Sequence, residues 1–109
     1  MSTKYIHVRI HKVEMAAEGL RRTVHPKGGI TYAYDLDGNT CRYAYAQCSA
    51  RDSYNRAIGR RVAGGRLATS AHPNQHTFTI VEGEKVVDQI LRYDNELARQ
   101  EHEAHVKRS

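Results

Sequence analysis

The densest chemistry in this 109-residue chain lies between Tyr54 and Arg66, where Arg56, Arg60, Arg61 and Arg66 recur with no acidic residue among them. Guanidinium groups present planar forks of donors that match phosphate oxygens, so the pattern points to an anion held by arginine. On a helix turning about 100° per residue, Arg56 and Arg60 stack one turn apart, opposite Tyr54, Ile58 and Arg61. Gly59 and Ala63 then fall between Arg56 and Arg66 on the outer surface, a smooth strip that a phosphate or a second helix approaches closely. With Tyr54 as a stacking ring, the expected ligand-binding set is Tyr54, Asn55, Arg56, Arg60, Arg61 and Arg66. Three further readings stay open: a solvated basic face, helix pairing through Gly59-x-x-x-Ala63 in a homo-oligomer, and an Arg61 that snorkels past the core.

Other chemistries are less well supplied. His72 and His76 are four apart and His102 and His105 three apart, spacings that place each pair on one side of a turn. The first pair straddles Pro73 and the second lies in a polar tail, with no cysteine placed to help, so neither a metal nor another cofactor is expected. No P-loop, nucleophile elbow or H-E-x-x-H occurs, and Cys48 has no evident histidine partner, so a non-enzymatic protein is expected. Cys41 and Cys48 read as buried thiols in a reducing compartment.

Tyrosine supplies the second candidate surface. Asp37-Gly38 fits a two-residue hairpin turn; with Leu36 opposite Asn39, Tyr34 pairs with Cys41, Tyr32 with Tyr43 and Ile30 with Tyr45. Tyr32, Tyr34, Tyr43 and Tyr45 then share one face, and Thr31, Ala33, Thr40, Arg42, Ala44 and Ala46 the other. The tyrosine face is the more apolar and is expected under the helices, leaving the alanine-rich face for solvent or an oligomer contact. Exposed instead, the same rings would stack nucleic-acid bases.

The elements that must position these groups follow from periodicity. Alternation over Tyr5 to Val13 predicts a half-buried strand, and further strands are expected at Leu20 to Val24, Ile30 to Tyr34 and Thr77 to Val81. His25-Pro26-Lys27-Gly28-Gly29 reads as a turn. Ser49-Ala50-Arg51-Asp52 resembles a capping box opening a helix from Asp52 to Arg66, with Gly64-Gly65 marking its end. Ala68 to Gln75 has loop composition, and a long second helix follows Glu82-Gly83-Glu84, fraying over residues 100–109. The expected fold is a single α+β domain, 1–109: an antiparallel sheet of about four to five strands with two helices on one face, two layers in all.

Charge narrows the partners. Lys and Arg number 17 against 12 acidic residues, and the net charge is +5. Through Arg66 the chain carries 12 basic and 5 acidic residues, whereas from Leu67 onward it carries 5 and 7, so an anion-binding surface belongs to the first two thirds. No apolar run is long enough to span a membrane and the N-terminus lacks a signal peptide's apolar stretch, which predicts a cytoplasmic protein with no membrane partner.

The segment from Cys48 through Leu67 resembles small phage-encoded proteins in which a strand-closing cysteine is followed by D-x-aromatic-x-R/K, then G-R, then A-x-G-R. The match spans about twenty residues, with Tyr54 where the pattern has Phe, and with Arg61 and Gly64 as departures. It is similar to the Thoeris anti-defence sponges, oligomers that sequester cyclic ADP-ribose-type signals. The resemblance implies a non-catalytic homo-oligomer that binds a small phosphorylated nucleotide at an interface, in the host cytoplasm. Two alternatives stand beside it: a basic nucleic-acid-binding protein using the tyrosine sheet, and a protein inhibitor of a host factor.

Overall fold

The structure is a computed structural model that describes residues 3–69 and 72–108. Among these, six strands and two helices form an α+β arrangement with an antiparallel sheet. Two compact units contain them, 1–78 and 79–109.

In the first unit β1 (Lys4–Val8), β4 (Lys27–Asp37), β5 (Thr40–Ser53) and β6 (Gln75–Thr79) form one sheet in the order β1-β4-β5-β6. β2 (His11–Ala16) and β3 (Gly19–Val24) pair as a separate ribbon. The alternation read as one strand from Tyr5 to Val13 is thus two strands, because at Arg9-Ile10 the chain leaves β4 and takes β3 as its partner. A period of two carries no sign of such a change of partner. The ribbon leaves Met15 and Leu20, directly opposite each other, exposed to solvent.

The hairpin between β4 and β5 turns at Gly38-Asn39, with Asp37 opposite Thr40 and Gly38 at φ +60°. Tyr34 therefore pairs with Tyr43 and Tyr32 with Tyr45, two residues away from the register expected from an Asp37-Gly38 turn. A slip of two preserves facing, so the four tyrosines still share a face and Thr31, Ala33, Ala44 and Ala46 the other.

The expected covering of those faces is reversed for the first helix. α1 (Arg56–Ala68) packs on the alanine face, where Ala33 and Ala44 are buried with Ala63 and Leu67. The strip Gly59, Ala63 and Leu67 turns inward, while Ile58, on the side of the helix expected to carry Tyr54 and Arg61, is half exposed. Short side chains on the sheet require a helix with short side chains to come close: a Cβ at Gly59 would sit 2.3 Å from Thr31 Oγ1, and one at Gly64 3.0 Å from the Tyr5 hydroxyl. This also removes Gly59 and Ala63 from any helix-to-helix contact and Gly64 from the role of helix end. On the tyrosine side Tyr32, Tyr34 and Tyr43 are buried, and Tyr45 stacks on His76 at 6.4 Å with an interplanar angle of 9°. Three of the four rings are thus buried, as expected of a covered face, although α1 lies on the opposite side of the sheet.

α1 also begins later than Asp52. β5 runs on to Ser53, and Ser49 Oγ accepts a hydrogen bond from the Arg51 N–H rather than capping a helix. The cap is Asn55, whose Oδ1 accepts from the Ile58 N–H at 3.1 Å. α1 then passes through Gly64-Gly65 to a cap at Thr69. Of the loop expected over Ala68 to Gln75, residues 70 and 71 lie outside the described residues.

In the second unit α2 (Val86–Arg108) continues through most of the tail expected to fray. Arg99 pairs with Glu96 and with Glu103 at helical spacing. Residue 109 lies outside the described residues. Buried Gln89 fastens the preceding loop, accepting from the Val81 N–H and donating to the Val81 and Glu84 carbonyls. Among the described residues no helix is long and apolar enough to cross a membrane.

Candidate functional site

A bulge in β5 creates the site. Gly29 faces Cys48 and Lys27 faces Ser53, so a single β4 residue, Gly28, lies opposite the four residues 49–52 of β5. The extra chain bows out, a distortion that re-aims side chains beside a sheet edge. Cys48 Sγ lies 3.5–3.7 Å from the carbonyl oxygens of Ser49, Asp52 and Ser53, inside the bow. Gly29 makes room for the returning chain: it takes φ +140°, and a Cβ there would lie 2.8 Å from the Tyr54 ring. Neither that dihedral nor that space suits any other residue.

Between the bulge and the first turns of α1 lies a cleft of about 350 Å³. Its walls include Cys48, Ser49 and Asp52 from the bulge, Tyr54 and Asn55 at the helix start, Ile58, Val62 and Arg66 along the helix, and Thr31 and Ala46 on the sheet. Apolar walls with a few convergent polar groups are the usual build of a small-molecule site. Of the six residues expected to bind ligand, Tyr54, Asn55 and Arg66 line this cleft. Arg56, Arg60 and Arg61 do not; they are exposed on α1. Arg66 is held in place by a hydrogen bond from its guanidinium to the Tyr45 carbonyl, 2.9 Å.

Beneath the helix start, three polar side chains close a triangle. Tyr54 Oη lies 2.6 Å from Thr31 Oγ1 and 2.8 Å from His7 Nδ1, and His7 Nδ1 is 3.0 Å from Thr31 Oγ1. Register explains the meeting: His7 and Thr31 are cross-strand partners on the face that α1 covers. Arg9, two residues along the same side, lays its guanidinium 4.5 Å above the Tyr54 ring, a cation–π contact. His7 is pushed below its ordinary value, first by burial and then by the positive charges of Arg56, Arg60 and Arg9.

The sequence reading missed His7, Arg9 and Thr31. The signal was the alternation that aligns positions 7 and 9, but their meaning depended on β1 pairing with β4. The thiols also part company: Cys41 is buried and pushed up to about 11, mainly by burial, whereas Cys48 is partly exposed in the cleft. Of the histidines at metal-like spacing, His76 packs against Tyr43 and Tyr45, while His72 Nδ1 accepts from the Asn74 N–H. The side chain of His105 lies outside the described residues. Among the described residues no three His, Cys, Asp or Glu side chains come together as a metal site would require.

Comparison with protein-family models, with curated proteins and with solved structures finds no match to this chain, so its functional reading rests on the residues of the cleft and its surroundings.

Proposed function

We propose that this chain binds and sequesters, without altering it, a small phosphorylated nucleotide of the cyclic ADP-ribose type. It would act in the host cytoplasm as an anti-defence protein of the phage-encoded kind that the Cys48–Leu67 segment resembles. The observation that carries the reading is the cleft between the β5 bulge and the start of α1. Its volume of about 350 Å³ suits a small molecule rather than a polymer. Tyr54 lends an aromatic side chain, Asn55 an amide and Arg66 a cation to its walls. α1 carries four arginines and no acid, so the field over this region favours a phosphorylated ligand.

The test uses the full-length protein, incubated with an extract of phage-infected cells, repurified and heated, with the released small molecules identified by mass spectrometry. An intact nucleotide is expected from the wild type and none from Ile58→Trp, which fills the cleft from a half-exposed position. Bound ligand should also shield Cys48 from alkylation. A chemically changed product, no nucleotide, or equal recovery from Ile58→Trp would refute the reading.

A further inference from the structure

We propose that Arg9, Arg56 and Arg60 form, around His7, a binding site for a phosphate group. The site deepens the nucleotide reading above and rests on it only for the source of the phosphate. Its geometry follows from how α1 lies along β1. Gly64 abuts the Tyr5 hydroxyl and Gly59 abuts Thr31, the cross-strand partner of His7. Moving from Gly64 back toward Gly59 on the helix therefore means moving from Tyr5 toward His7 on the strand.

The two elements keep nearly equal pace over this interval. Four helical residues advance about 6 Å at a rise of about 1.5 Å each, and two strand residues advance about 6.6 Å. Arg60, one turn before Gly64 on the same side of α1, is thus level with His7, and Arg56, a further turn back, is level with Arg9. Three guanidiniums from two separate segments gather around one imidazole. Among the described residues no carboxylate pairs with any of the three. Arg9 gives one N–H to the His25 carbonyl at 3.2 Å, yet its Nε is buried without a hydrogen-bond partner. Unneutralised guanidiniums with unspent donors are complementary to a phosphate, which brings both charge and several acceptor oxygens.

The location carries a proton-linked signature. The groups facing His7 are Arg9 on its own segment, Arg56 and Arg60 on α1, Tyr54 ahead of α1 and Thr31 on β4. In the free protein the three cations and burial disfavour the imidazolium. An anion bound among them offsets those charges, so His7 takes up a proton more readily. Binding is then tighter as pH falls through the interval between His7's free and bound titration midpoints.

Sulfate is the probe, because it stays dianionic across the histidine range. The full chain is titrated with sodium sulfate against a sodium chloride control of equal ionic strength, and the histidine ring resonances are followed with pH. Sulfate is expected to raise the His7 midpoint by about one unit. Arg60→Gln, at an exposed position, should by itself raise the midpoint and should abolish the further effect of sulfate. Ile58→Trp should retain the sulfate response while losing the nucleotide, which separates this site from the cleft. A His7 midpoint that moves equally in chloride and sulfate, or a full sulfate response in Arg60→Gln, overturns the proposal.

Discussion

Replacing Gly59 by alanine tests the close approach of α1 to the sheet. In an ordinary helix interior the change stabilises by about 1 kcal/mol, because alanine is the better helix former. Here the new Cβ would lie 2.3 Å from Thr31 Oγ1 and 3.0 Å from Thr31 Cβ. That is roughly 1 Å or more inside normal contact. Thr31 is fully buried, on a central strand, with its hydroxyl already hydrogen-bonded to Tyr54 and His7, so it has nowhere to turn. The helix must lift. Overpacking of this kind costs about 3 kcal/mol at the upper end of its range, leaving a net loss of about 2 kcal/mol after the propensity gain. For a chain of this size that is a fall in Tm of about 10 °C. Gly65, six residues further along the same helix, has nothing within 4 Å of its Cβ position. Gly65→Ala is therefore the control and should stabilise by about 0.5–1 kcal/mol. Thermal or urea unfolding of both variants, with Thr31→Ala as a second background, measures the contrast. A Gly59→Ala protein as stable as the wild type would refute the packing argument, and so would an unchanged penalty in the Thr31→Ala background.

The remaining expectations follow from single contacts. Asn55→Ala should cost about 1 kcal/mol by urea unfolding through loss of the helix cap, with Asn55→Ser recovering most of it. Acidification should destabilise the protein through His7: the folded midpoint is depressed below the unfolded 6.5, so its stabilising contribution is full above 6.5 and is lost as pH falls through the folded value. In His7→Gln, calorimetric Tm against pH should show a shallower fall. Native alkylation at neutral pH should label Cys48 quickly and Cys41 only on unfolding, because burial pushes the Cys41 thiol up to about 11. Nucleotide affinity should change modestly with salt; a loss of about a thousandfold between low and physiological salt would instead mark a binder of many nucleic-acid phosphates.

Some of this was present in local pattern. Asp37-Gly38 signalled a hairpin, and parity alone gathered Tyr32, Tyr34, Tyr43 and Tyr45 on one face even with the register two residues out. The helix signal was sound, but the start read at Ser49 gives way to a cap at Asn55, because Ser53 at the end of β5 is held by Lys27, far away in sequence. One legible signal went unused: the small side of the helix, Gly59 and Ala63, matches the small side of the sheet, Thr31, Ala33, Ala44 and Ala46.

What the sequence by itself determined is therefore the α+β class, the hairpin, the arginine-bearing helix and which residues share a face. Periods of 2 and about 3.6 encode these, since they depend only on neighbours along the chain. Which face α1 covers, where β5 bulges and why His7 meets Thr31, Tyr54 and the arginines were decided by tertiary structure. A face becomes core only when another element approaches it, and the distance of approach depends on the side chains of both partners. Gly59 looked like open surface along the helix; against Thr31 a Cβ there would lie 2.3 Å from the Oγ1 atom, closer than any side chain is admitted.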